Sequence, residues 1–327
     1  MARGSARVLI VSAEDRGMEA AGHILQAAGH HVTELQIGAE VFKWLRMHHA
    51  EIVVVDLRVD EQAAAAQTEL LAVVRQTAGT DLLVLIRGGD GGPAPTRGLF
   101  QNHRLTHFLA VGGDGTIDPI ALTVTVAKIL TRDIFGSERY LAASASEWTA
   151  RVRSSGERAA VGDAAWAFAL QSKCHPEIAR AFTTAVDELV NNALYNAPTD
   201  RAGKPRFSHL SRSTPVTLSE AEEMLLRLSY DGRRLCISAS DPFGSLRPAQ
   251  VLDCLSRCFT GGEDQVQQGD AGAGIGLYII FNFVHHLIIN LVPEQRTEVI
   301  GIIDVGRSYR DYMRRSRSFN LFVGRAS

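Results

Sequence analysis

The stretch AVDELVNNALYNAP carries Glu188, Asn192 and Asn196 at four-residue spacing, which sets one carboxylate and two amides on a single helical face. An amide oxygen suits Mg2+, and a carboxylate can take a proton from a hydroxyl or a water. Phe182, Ala185, Leu189 and Ala193 form an apolar stripe beside the row, so the polar residues lie at the margin of a core, as a solvated edge or as a ligand-facing row. Further along, Gly272, Gly274 and Gly276 stand just ahead of the apolar helical run LYIIFNF. Bare N–H groups at a helix N-terminus bind phosphate. A dinucleotide loop has similar glycines but needs a strand directly before them, and here the preceding FTGGEDQVQQGD is polar and strandless.

These residues need a scaffold, and the pattern around them supplies one. His175 and Pro176 open the helix that carries Glu188, with Pro176 suited to its first turn. MLLRLSYDGRRLCISASD alternates apolar residues on both sides of Asp231 and Gly232, which predicts a hairpin whose second strand ends at Asp241. A buried carboxylate at such a strand end is a stringent reader of a donor group. RTEVIGIIDV and SFNLFV read as further strands.

The N-terminal half has a different rhythm. Apolar runs at 7–11, 52–55, 82–86 and 108–111 alternate with helical patterns at 18–28, 62–76 and about 120–130. Continuous apolar strands between helices imply a parallel sheet covered on both faces. Asp56 closes the second of these runs, where a carboxylate either caps a loop or does chemistry. The intervening 131–160, rich in Ser, Ala and Arg, reads as a helical linker through the spacing of Ile134, Tyr140, Leu141 and Trp148.

In order along the chain, these motifs resemble those of the GHKL superfamily of ATPases, shared by gyrase-type, chaperone-type, mismatch-repair and histidine-kinase enzymes. The resemblance covers about residues 160–324. It implies an N-box in which Asn192 holds Mg2+, Glu188 polarises the attacking hydroxyl or water, and Asn196 reaches a phosphate. It implies that Asp241 accepts a hydrogen bond from the adenine amino group, although Phe243 and Ser245 replace two usual glycines and Gly244 is displaced by one. GAGIGL, with Gly272, Gly274, Gly276 and Leu277, matches the second glycine box, preceded by a lid in which Arg257 and Thr260 touch phosphates. Thr297 matches the last box, with Arg296 in place of the usual Gly.

Residues 1–130 resemble a response-regulator receiver domain, with Asp56 at the phosphoacceptor position. Ser12 and Ala13 replace the acidic pair, Arg87 replaces a hydroxyl, and the last strand, FLAVGG, lacks the Lys. Mg2+ needs more than one such oxygen ligand, so Asp56 is expected to be at most a vestigial acceptor in a pseudo-receiver.

The fold expected is therefore α/β throughout: a receiver-like doubly wound parallel sheet over 1–130, a helical linker over 131–160, and a GHKL-type α/β sandwich over 161–327. The linker has no His, so histidine autophosphorylation is disfavoured. The resemblance is nearest to the anti-sigma-factor serine-kinase group. It implies ATP and Mg2+ as cofactors and a signalling protein as partner, either a phosphorylation substrate or a sigma/anti-sigma-type regulator. The alternative is an ATP-dependent interaction module with little turnover. A homodimer is compatible with either.

Composition narrows the classes. The 327 residues are 46% apolar and 21% charged, with a formal charge of −2, an ordinary globular balance without the cationic surplus that nucleic acid demands. Cys174, Cys236, Cys254 and Cys258 fit neither a disulfide framework nor a paired zinc site, and read as reduced thiols. No run reaches the length of a membrane span, and a soluble cytoplasmic protein is expected. The Arg cluster at 307–317 reads as a solvated helix face or a dock for an acidic partner.

Overall fold

A computed structural model describes residues 5–13, 18–57, 64–87, 104–112, 114–258, 272–306 and 308–325. The chain divides into two compact α/β units, Met1–Ile134 with Ser318–Asn320, and Phe135–Arg317 with Leu321–Ser327. No helix among the described residues is long and apolar enough to cross a membrane.

In the first unit, strands β1 (Arg7–Ser12), β2 (His31–Gln36), β3 (Ile52–Leu57), β4 (Asp81–Arg87) and β5 (His107–Val111) form a parallel sheet in the order β2-β1-β3-β4-β5. Helices α1 (Glu19–Ala27), α2 (Ala39–Met47), α3 (Ala64–Gln76) and α4 (Pro119–Thr131) connect or follow the strands. The strand order reverses after β2, so right-handed crossovers put α1 on one face and α2 and α3 on the other. Helix α4 packs against α1. Every residue of β3 is buried, as a central strand covered on both faces requires. Strand β2 was not among the runs read from sequence, because HVTELQ alternates polar and apolar residues at a sheet edge.

In the second unit, β6 (Ser146–Val152), β7 (Met224–Tyr230), β8 (Arg234–Asp241), β9 (His286–Val292) and β10 (Arg296–Asp304) pair antiparallel in the order β9-β10-β8-β7-β6. The expected helical linker is corrected here. Residues 146–152 are an edge strand in register with β7, Ser146 opposite Tyr230 and Val152 opposite Met224. Trp148, Ala150 and Val152 recur at the period of two of a pleated surface, with Thr149 and Arg151 turned outward, and that period outweighs the looser helical spacing.

Helices α5 (Arg158–Gln171), α6 (Pro176–Asn191), α7 (Pro248–Cys258) and α8 (Gly272–Phe283) belong to this unit, with the short α9 (Tyr309–Arg314) near its end. Helix α6 contacts β8, β10, α5 and α8. A Cβ on Gly301 would lie 2.8 Å from Val284 Cγ1, just beyond α8, so the face of β10 that holds Thr297, Val299 and Gly301 looks toward the helices. The last strand, β11 (Ser318–Val323), reads in sequence as the closing strand of the ATPase-like domain, and its second half, from Leu321, groups with the second unit, where β11 neighbours β9. Its first half, Ser318–Asn320, groups with the first unit, where Phe319 and Asn320 pair antiparallel with Phe108 and His107 of β5. Thr125 donates to Asn320 Oδ1 at 3.2 Å and Ala110 N to Ser318 Oγ at 3.0 Å, tying the strand to the first unit. Cys174, Cys236 and Cys254 are buried.

Candidate functional site

The helix that carries the polar row starts as its sequence requires. His175 Nδ1 accepts from Glu177 N at 3.2 Å, Pro176 follows at the first position, and Ile178, Phe182, Ala185 and Leu189 are buried beneath it. After Asn191 the helix widens into a π-helical turn, Asn192–Asn196, closed by Ala197 N donating to Asn192 O at 2.8 Å. Such turns are rare and concentrate at functional sites. Asn196 Nδ2 donates to Asn192 Oδ1 at 2.8 Å, which fixes the orientation of both amides. The turn packs against β8 and α8.

Glycines 272, 274 and 276 lie inside the opening turns of α8 rather than ahead of it. Only the first four N–H groups of a helix lack internal partners, so Gly272 and Gly274 offer donors and Gly276 does not. Gly276 contributes by having no side chain: a Cβ there would stand 2.5 Å from Glu188 Oε2 and 3.4 Å from both Asn192 amide atoms. Two motifs more than eighty residues apart in sequence thus meet at one point. Leu277 is buried next to it as a core residue. The lid stretch 259–271, with Thr260, lies outside the described residues, as does the side chain of Arg257 in α7.

Arg212 completes this corner, and nothing in the sequence singled it out. Its Nη1 donates to Glu188 Oε1 at 3.0 Å and Oε2 at 3.1 Å. Its backbone is pinned from two sides. The Tyr195 hydroxyl donates to Arg212 O at 3.0 Å and Thr214 O at 2.9 Å, and Arg158 donates to Arg212 O at 3.2 Å while paired with Asp187 at 3.0 Å. The loop is irregular, with no period to betray it.

Across the sheet, Asp241 at the end of β8 stands opposite Thr297 on β10, on the face that looks toward the helices. Phe243 N donates to Asp241 Oδ1 at 2.9 Å, and the Thr297 hydroxyl also bonds the carboxylate. Burial nevertheless pushes the Asp241 carboxyl up to about 6, against the pull of these donors and of Arg296. Gly244 is needed for shape. It has φ +58°, and a Cβ would meet Val292 O at 2.3 Å and Gln295 N at 2.6 Å, so it lets the loop after Asp241 close on the β9–β10 turn.

Among the described residues no group of three His, Cys, Asp or Glu side chains is arranged to hold a metal. Mg2+ binds through one or two protein oxygens when phosphates supply the rest, and the Asn192 amide oxygen, oriented by Asn196, fits that more modest role.

No family model and no curated protein sequence matches this chain.

In the first unit, Asp56 sits at the carboxyl end of β3, beside the point where the strand order reverses, the usual crevice of an open parallel sheet. It is 1% exposed. Arg87 Nε donates to Asp56 Oδ1 at 3.1 Å and Oδ2 at 3.0 Å, and Ser12 Oγ to Oδ2 at 3.2 Å. A guanidinium therefore covers the carboxylate that the receiver resemblance offered as a phosphoacceptor.

Proposed function

We propose that the second unit binds Mg-ATP and passes its terminal phosphoryl group to a Ser or Thr hydroxyl of a partner protein, with the first unit acting as a pseudo-receiver that docks or senses. The observation that carries this reading is the meeting of Glu188 and Asn192 with Gly276 in the opening turns of α8. An amide for the metal, a carboxylate for a proton and free helix N–H groups for phosphate then share one corner, while Asp241 and Thr297 offer an acceptor for an adenine amino group. Asn192 would hold Mg2+, which would screen phosphate charge; Glu188 would take the proton of the hydroxyl, and Arg212, which pairs with Glu188, would balance charge on the terminal phosphate.

Calorimetry with ADP and with ATP in Mg2+, followed by a phosphoryl-transfer assay on captured partners, tests this reading. Saturable binding of both nucleotides, with transfer abolished and binding kept in Glu188→Gln, is the expected result. Absence of nucleotide binding by the folded protein refutes it.

One observation favours a second reading, an ATP-dependent interaction module with little turnover. Arg212 engages both oxygens of Glu188, so a hydroxyl must displace the guanidinium to reach them. Arg212→Met separates the two. Turnover rises if Arg212 only blocks Glu188; turnover and ATP affinity fall together, with ADP affinity unchanged, if it serves the phosphates.

A further inference from the structure

The other face of the second sheet holds a feature that the nucleotide reading does not use. Residues 135–140 cross over β7, β8 and β10 and leave a cavity of about 250 Å3. That volume lies just below the roughly 300 Å3 at which drug-sized sites begin, so its occupant is small. Its floor is polar: Ser238 and Ser240 from β8 and Glu298 from β10.

Two of its charged groups are unusual. Glu298 is 2% exposed, and its carboxylate accepts from Ser238 Oγ at 2.8 Å, Asn290 Nδ2 at 2.8 Å and Gly136 N at 2.9 Å. It has neutral donors and, among the described residues, no cation within ion-pair distance, a costly state for a buried charge. Arg296, two residues earlier on the same face of β10, is the converse. Its guanidinium lies 4.2 Å over the centroid of the Phe135 ring, and its Nε donates to Ser240 Oγ at 2.9 Å. No carboxylate among the described residues pairs with it. An arginine already stacked and hydrogen-bonded has lost most of its rotamer freedom, so its fork captures a carboxylate at a low entropic cost. Arg227 lines the same cavity but is engaged by Glu147 at 3.2 Å and Glu138 at 3.7 Å.

We propose that this cavity is a receptor for a small zwitterion of the α-amino-acid type, its carboxylate on Arg296 and its ammonium toward Glu298. Residues i and i+2 of a strand stand about 7 Å apart on one face, so both charges lie within reach of one small molecule. A simple anion would sit beside the uncompensated Glu298, and a simple cation beside Arg296 and Arg227. Arg296 is exposed to solvent, so the cost lies with the buried Glu298; a ligand that carries both charges sets its ammonium by Glu298 and its carboxylate on the open, pre-oriented fork of Arg296.

Titration calorimetry on the full chain, with the common L-amino acids one at a time at millimolar concentration and with acetate and methylammonium as single-charge controls, tests this site. Saturable binding of at least one amino acid and of neither control is expected, weakened at least about tenfold by Arg296→Met. Arg296→Lys, which keeps the charge without the fork, should also bind more weakly and covers the case in which the Met variant does not fold. Glu188→Gln, at the nucleotide corner on α6 and outside this cavity, should bind the amino acid as the wild type does, so this site and the nucleotide site succeed or fail separately. No saturable heat from any amino acid, equal binding of acetate, or full affinity in both Arg296 variants overturns the proposal.

Discussion

Asp241→Asn should make the protein more stable and a worse nucleotide binder at the same time. The Asp241 carboxyl, ordinarily at 3.8, is pushed to about 6 by burial. The gap of roughly two pKa units, at 1.36 kcal/mol each, corresponds to about 3 kcal/mol. Its side chain keeps some solvent contact at the sheet end, which reduces the usable figure to about 1–2 kcal/mol. The sign follows from linkage. A carboxyl raised in the folded state favours folding while it is protonated, and that contribution is lost as pH climbs from 3.8 through about 6. Asparagine does not titrate, so urea unfolding should give equal stabilities at about pH 3.5 and an advantage of about 1–2 kcal/mol for the variant at about pH 7.5.

Binding moves the other way. In the proposed site the ionised carboxylate would accept a hydrogen bond from the adenine amino group, so wild-type affinity should fall as pH drops through about 6, approaching tenfold for each further unit. The variant should be weaker by about 10- to 100-fold at neutral pH and should lack this dependence, which also makes it the control for the ligand's own titration. Parallel stability profiles would refute the burial argument. Equal affinity in the two proteins would refute the adenine contact.

Two further substitutions probe the corners of the fold. Gly276→Ala places a methyl 2.5 Å from Glu188 Oε2, so it should cost about 1–3 kcal/mol in thermal unfolding and disturb phosphoryl transfer far more than adenosine binding. Asp56→Asn removes the carboxylate that Arg87 grips and should destabilise by about 1–3 kcal/mol, while acetyl phosphate should leave no stable adduct on wild-type Asp56 in intact-mass spectra.

The parts of this structure legible in the sequence are those that a local period can write. Continuous apolar runs gave β1, β3, β4 and β5, and the row Glu188, Asn192, Asn196 announced one face of α6 and its closing turn. Asp241 and Thr297 were singled out separately, and the register of two antiparallel strands sets them side by side. What could not be read depends on tertiary choice. Edge strands β2 and β6 have mixed faces because water covers part of them, so β6 imitates a helix. Strand β11 is apolar enough for several sheets, and only its side chains against His107 and Thr125 decide where its first half pairs. Arg212 reaches Glu188 through a loop held by Tyr195 and Arg158, a three-body arrangement with no sequence period.

Strands β8 and β10 tie the two proposed sites together through the simplest property of a strand. Side chains alternate, so Asp241 and Thr297 face the helices while their neighbours Ser240 and Arg296 face the opposite cavity. A slip of β10 by one residue against β8 would turn β10 over, carrying Arg296 and Glu298 among the apolar helices beside Asp241 and moving Thr297 to the far face. Ile237 and Ala239 on β8, and Val299 and Gly301 on β10, line the helix-facing side between the ends and penalise that slip. Gly301 does so most strongly, since only a residue without a side chain fits beneath Val284. The packing that holds the nucleotide-side pair in place therefore also fixes the polar groups on the far side. Ligands on the two faces would then share rigid strands, and any coupling between them would have to pass through movement of the loop after Asp241 or of residues 135–140 rather than through the sheet.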